Sequence, residues 1–331
     1  MTTLSDLMET GLLRHEVDAH GTRIHVAEVG SGPLVLFVHG FPESWYSWRH
    51  QLPVVAAAGF RAAAIDVRGY GSSAAPEAIS AYRLLDLAGD CIGVVEALGE
   101  SEAVIVGHDW GSPISATAAQ IRPDVFTALA LLSVPYTPRS NVRPTDLFRA
   151  MGGPDEIFYI DYFQDPGVAE AEIADDPVAW LKAFYLNASG DAPPIETQAR
   201  PRFFTESGGT LVNRLSPWAG PLPWLAEEDI SFYTSEFARV GFTGGLNRYR
   251  CIDYDWVDLR AWHEAPIAQP SLFIGGEHDG PTLLGAGSIA RFVDTLPGLR
   301  GSVILKDVGH WIQQEDAPGT NAALLHFLAG L

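Results

Sequence analysis

Cysteine is scarce in this sequence: only Cys91 and Cys251 occur among 331 residues. Two cysteines cannot build a disulfide framework, so a reducing cytoplasm is the expected setting and both thiols read as packing residues. Basic side chains are also in short supply, 21 against 41 acidic ones, which leaves a formal net charge of −20. A field of that sign repels phosphate backbones and anionic lipid, so neither nucleic acid nor a membrane surface is an expected partner. No window approaches the roughly 18 consecutive apolar residues of a membrane span. The opening "MTTLSDLMETGLLRHE" lacks a basic stretch followed by an apolar one, so a soluble, unexported protein is expected. "VGSGP" at 29–33 lacks the third glycine of a dinucleotide fingerprint, which argues against a nicotinamide cofactor.

What is present is apolar material, 47% of the chain, enough for a large core. "TRIHVAEVG", "PLVLFVHG", "RAAAIDVRG" and "EAVIVGHD" read as strands. Between the last two, "YRLLDLAGDCIGVVEALG" carries apolar residues at helical spacing and stops at Gly99. A helical "SPISATAAQIRP" and a strand "FTALALLSVP" follow. Near-continuous apolar strands alternating with helices predict a mostly parallel sheet with helices on both faces. The rhythm breaks at Pro135. Residues 136–262 are rich in Pro, Gly, Trp and Tyr, with short helical patches such as "FYIDYFQ" and "DDPVAWLKAFYL" and no clear strand. It resumes with "PSLFIGGEHD", a helical "GSIARFVDTLPG", "GSVILKDVGHW" and a last helix, "TNAALLHFLAG". The expected organisation is a core of residues 1–135 and 263–331 with a helical lid, 136–262, inserted over the crevice at the carboxyl ends of the strands.

"IVGHDWGS", 105–112, has glycine two before and two after Asp109. That is the layout of a sharp strand-to-helix turn that raises its central residue at the top of a sheet. With serine at the centre it is the nucleophile elbow of the α/β-hydrolases. Aspartate there is ionised without help from a base. A carboxylate is a poor attacker of esters, but it suits displacement at a saturated carbon that bears a strained or activated leaving group. The product is an ester on the enzyme, which water must then cleave. "DVGHW" supplies His310 as the general base for that step. The hydrolase order requires an acid before it, and "LFIGGEHD" offers Glu277 or Asp279. Asp279 is preferred, because Glu277 lies nearer the strand. A metal site at Glu277–His278–Asp279 is disfavoured for want of a partner cluster. "VHGFPESW" follows an early strand, so the backbone N–H groups of Phe41 and Trp110 form the expected oxyanion hole. His39 and His108 are expected to support the loops.

In "HGFPESW", "DVRGYGSS", "GHDWG" and "GHW", all in order, the chain resembles the soluble epoxide hydrolases of the α/β-hydrolase superfamily over nearly its whole length. The lid stretches "FYIDYFQDPGVAEAE" and "SEFARVGFTGGLNRYR" resemble the two family segments that carry epoxide-activating tyrosines. By position these are Tyr159 and Tyr249, with Tyr162 the rival to the first. Arg248 departs from the tryptophan often found there. The resemblance implies hydrolysis of a small apolar epoxide by water to a vicinal diol, with no metal or organic cofactor, and it is compatible with a homodimer. The main alternative is a haloalkane dehalogenase using the same aspartate, although those enzymes commonly have asparagine where Phe41 stands. A non-catalytic small-molecule receptor would keep the pocket without the full set of reactive groups.

Overall fold

A computed structural model of the chain describes residues 2–194, 202–218 and 220–331. Eight strands form one sheet: β1 (Leu13–Ala19), β2 (Thr22–Gly30), β3 (Leu34–Val38), β4 (Arg61–Ile65), β5 (Ala103–His108), β6 (Phe126–Leu132), and, later in the chain, β9 (Ser271–Gly276) and β10 (Leu299–Leu305). Their spatial order is β1-β2-β4-β3-β5-β6-β9-β10. From β4 to β10 every pair is parallel, whereas β1 pairs antiparallel with β2, and β2 with β4. Every residue of β3, β5 and β9 is buried. Strands buried on both faces must be apolar throughout, which is the pattern the sequence carries.

Strand β1 is the one the apolar pattern did not announce. "LRHEVDA" is charged and mostly exposed, as suits an edge strand. Its partner is set by the tight turn at His20 and Gly21, both with positive φ (54° and 88°), a geometry whose twist matches antiparallel strands.

The chain leaves β3 for β4 on one side and then returns to lay β5 on the other side of β3. The loops after β3 and β5 therefore diverge at a switch point, where an open parallel sheet leaves a crevice. Elements between β6 and β9 pack on the loop after β3, where Phe163, Phe184 and Tyr249 meet Phe41. These elements include helices Tyr159–Tyr162, Pro177–Ala188, Glu227–Val240 and Thr243–Arg250, and two three-residue strands, β7 (Glu156–Phe158) and β8 (Phe204–Glu206), which pair antiparallel. Three residues are too few for a period-2 pattern to stand out, so the strand-free expectation for this region missed them. The stretch read as one helix at 287–298 is two short helices, Ala286–Ile289 and Phe292–Thr295. Among the described residues, no helix is long and apolar enough to cross a membrane.

Candidate active site

Asp109 directly follows β5 with φ of 51°, a left-handed conformation that costs a non-glycine residue and is held only by its surroundings. Those surroundings are tight. A side chain at Gly107 would strike the Gly111 carbonyl, and one at Gly111 would strike the Val38 carbonyl. Removing both side chains lets β5 turn into helix Gly111–Ile121 against the end of β3. The Asp109 carboxylate thus reaches across to the neighbouring loop, where the Phe41 amide donates to its Oδ1 at 2.7 Å. Trp110, whose amide is the other expected oxyanion donor, caps the start of the helix, where the macrodipole is positive.

His310 stands in the loop after β10. Its Nδ1 donates to Asp279 Oδ1 at 2.9 Å, and its Nε2 is 3.5 Å from Asp109 Oδ2. Burial opposes a charged imidazole, but hydrogen bonds to Asp109 and Asp279 outweigh it and raise His310 to about 10. Asp279 is fully buried, and its Oδ2 accepts from the Thr282 hydroxyl at 2.6 Å. Burial works against its charge, yet His310, Thr282 and Ser133 hold it below its ordinary value. Glu277, the alternative acid, is exposed and accepts instead from the Asp307 amide. Asp279 is thus committed to His310, while the exposed Glu277 and His278 gather with Asp307 instead, a partner the spacing did not show.

Several supports left no recognisable mark in the sequence. Glu315 accepts from the amides on both sides of His310, those of Gly309 and Trp311, each at 2.8 Å. The His310 amide donates to the Ala188 carbonyl at the end of helix Pro177–Ala188. Beneath lies a buried pair, His108 Nδ1 with Glu43 Oε2 at 2.7 Å. The other ring nitrogen, Nε2, donates to the His310 carbonyl at 2.8 Å. Burial would raise Glu43, but His108, His39 and the Gly40 amide hold it down at about 2. His39 donates from Nδ1 to the Gly40 carbonyl and accepts the Val67 amide at Nε2. Both histidines thus brace loops, as their positions suggested.

Tyr159 and Tyr249 meet edge to face, with ring centroids 6.0 Å apart. Tyr159 opens the helix after β7. Tyr249 sits near the end of helix Thr243–Arg250, is buried, and meets Trp110 edge-on at 5.1 Å. Gln164 ties their helices together, donating to the Ile160 and Tyr249 carbonyls at 2.8 and 3.0 Å. Burial, then the Asp109 charge, pushes the Tyr159 phenol up; burial, then Tyr159 and Asp109, does so for Tyr249. Both stay neutral and able to donate. The Tyr162 hydroxyl instead donates to Glu172 at 2.6 Å. Arg248 is buried, pairs with Asp255 and lies 4.8 Å above the Trp110 ring. Its charge is thus matched by an acid seven residues on.

A doubly covered, mostly parallel sheet with a glycine-flanked elbow after its fifth strand and a histidine–acid pair after its last two defines a protein of the α/β-hydrolase fold. Residues 33–185 match the family model described as alpha/beta hydrolase fold. The chain is 39% identical to Epoxide hydrolase B of Mycobacterium tuberculosis, over 95% of this chain and 98% of that protein. It is 41% identical to Epoxide hydrolase A of the same organism, over 95% and 97%. The solved structure of an epoxide hydrolase from an endophytic Streptomyces matches with a TM-score of 0.93 and 57% identity, covering 97% of this chain and 96% of that one. The chain belongs to the epoxide hydrolase family.

Proposed function

We infer that this protein hydrolyses a small apolar epoxide to a vicinal diol through an ester on Asp109. The observation that carries the reading is the convergence of the buried Asp109 carboxylate, a histidine–acid pair and two neutral phenols among packed aromatic rings. Asp109 attacks a ring carbon, and the carbon–oxygen bond breaks. Tyr159 and Tyr249 hydrogen-bond the oxygen as charge develops and supply its proton. Rings of Phe41, Phe163 and Trp110 pack around Tyr249, so the phenols act in a water-poor setting where such bonds are strong.

The charge on His310 gives the second step its timing. In the free enzyme the imidazolium lies between two carboxylates. Esterification neutralises Asp109 and removes one of the two groups that hold the proton. His310 can then give up that proton, which restores the phenol, and its Nε2 becomes free to take one from water. That water attacks the ester carbonyl of Asp109, whose oxygen gathers charge beside the Phe41 and Trp110 amides. Asp279 keeps the remaining proton on Nδ1. The diol leaves and the starting protonation returns. No step needs a metal or organic cofactor.

The same reading takes residues 136–262 as a lid on a core of 1–135 and 263–331, supported by the packing of Phe163, Phe184 and Tyr249 on Phe41. It keeps the cytoplasm as the setting, in line with two free, buried cysteines. The test is a panel of mono-, di- and trisubstituted epoxides assayed for diol, with Asp109→Asn as control. Diol from the wild type alone supports the reading. Halide release from haloalkanes with no diol from styrene oxide would overturn it in favour of a dehalogenase.

A further inference from the structure

Ser133 lies one residue beyond β6 and is fully buried. Its φ is 70°, in the left-handed region, where glycine is at ease and serine is strained. Its backbone is pinned on both sides. The amide donates to the Ile274 carbonyl of β9 at 2.9 Å, and the carbonyl accepts from the Thr282 hydroxyl at 3.0 Å. The hydroxyl is what separates Ser133 from the glycine this backbone favours, and that hydroxyl sits 3.0 Å from His310 Nδ1.

We propose that Ser133 is a positioning residue for ester hydrolysis, holding His310 and Asp279 in register through its side-chain oxygen. This rests on the ester reading above. The Nδ1 atom carries one hydrogen and has two acceptors in reach, Asp279 Oδ1 at 2.9 Å and Ser133 Oγ. The Ser133 proton is free to donate to the Asp279 carboxylate, whose other oxygen is taken by Thr282. A ring held at Nδ1 by two acceptors resists rotation better than one held by a single carboxylate. That matters when Nε2 has lost its partner in Asp109 and must meet a water molecule instead. The first half-reaction, attack by Asp109, makes no such demand on the ring.

The experiment compares Ser133→Gly and Ser133→Ala with wild type in rapid-quench single turnover of styrene oxide, following ester formation and ester hydrolysis separately, with melting temperature alongside. His310→Gln serves as the reference in which ester should persist. Loss of one hydrogen bond to a charged pair predicts ester hydrolysis slowed about tenfold in both variants. Ester formation should stay within about twofold, and the glycine variant should melt no lower than wild type, because its backbone strain is gone. Wild-type hydrolysis of the ester by Ser133→Gly would overturn the proposal. So would equal slowing of both half-reactions with a lowered melting temperature, the mark of a purely structural residue. Absence of any ester in His310→Gln would instead sink the nucleophile reading, and this proposal with it.

Discussion

Replacing Tyr249 with phenylalanine removes one donor from the ring oxygen, together with its hydrogen bond to the Tyr159 hydroxyl, and keeps the ring. The Tyr249 ring is 2% exposed and packs edge-on against Phe41, Trp110 and Phe163 at centroid distances of 5.5, 5.1 and 5.1 Å. Phenylalanine keeps all of those contacts, so stability should change by no more than about 1 kcal/mol. The chemistry should change far more. An oxygen leaving a strained ring becomes a full alkoxide unless it is hydrogen-bonded, and one donor to a developing oxyanion in a dry site is worth about 10²- to 10³-fold in rate. Tyr159 remains and takes part of the load, so the lower end applies: about a hundredfold, or about 2.7 kcal/mol. The loss should fall on ester formation alone. Stopped-flow tryptophan fluorescence is the natural assay, because Trp110 touches Tyr249 directly. A loss under threefold, or one confined to ester hydrolysis, would refute the reasoning.

Other perturbations separate the remaining parts. His310→Gln should still form the ester but hydrolyse it at least about a thousandfold more slowly, seen as a persistent mass increase on Asp109. Tyr162→Phe should leave turnover within twofold and cost about 1 kcal/mol in chemical denaturation, since its hydroxyl serves Glu172 rather than the site. The pH dependence follows from His310, whose value rises on folding to about 10. Such a group contributes stability that is complete below its unfolded value of about 6.5 and is lost as pH climbs through the folded value. Melting temperature should therefore fall between pH 7 and 10, and fall less in Asp109→Asn, which lacks one of the two carboxylates holding the proton. Asparagine is the right replacement because it tolerates the positive φ of residue 109.

Sequence carried the parts that obey local rules. Apolar runs marked β3, β5, β6 and β9 because strands buried on both faces admit little else. The glycine spacing around Asp109 was legible because the elbow forbids side chains at 107 and 111. Asp279 and Glu277 are two residues apart, and strand-end geometry favoured Asp279, whose carboxylate lies 2.9 Å from His310 Nδ1. Ser133 and Glu43 were hidden because each acts across a large sequence gap, whereas Glu315 serves amides within six residues of itself. Ser133 lies 177 residues from His310, and Glu43 lies 65 from His108. Nothing in "LLSVP" or "FPESW" advertises a partner so far away. Strand β1 escaped for the opposite reason, since an exposed edge made of charged residues looks like loop.

The central claim is that an Asp109 oxygen passes into the product. Single turnover with enzyme in excess, in water enriched in heavy oxygen, tests it directly by mass spectrometry of the diol. The account predicts an unlabelled diol in the first turnover, with the label in the Asp109 side chain, and labelled diol only in later turnovers. Label in the diol from the first turnover would mean that water opens the ring itself, and would contradict the account.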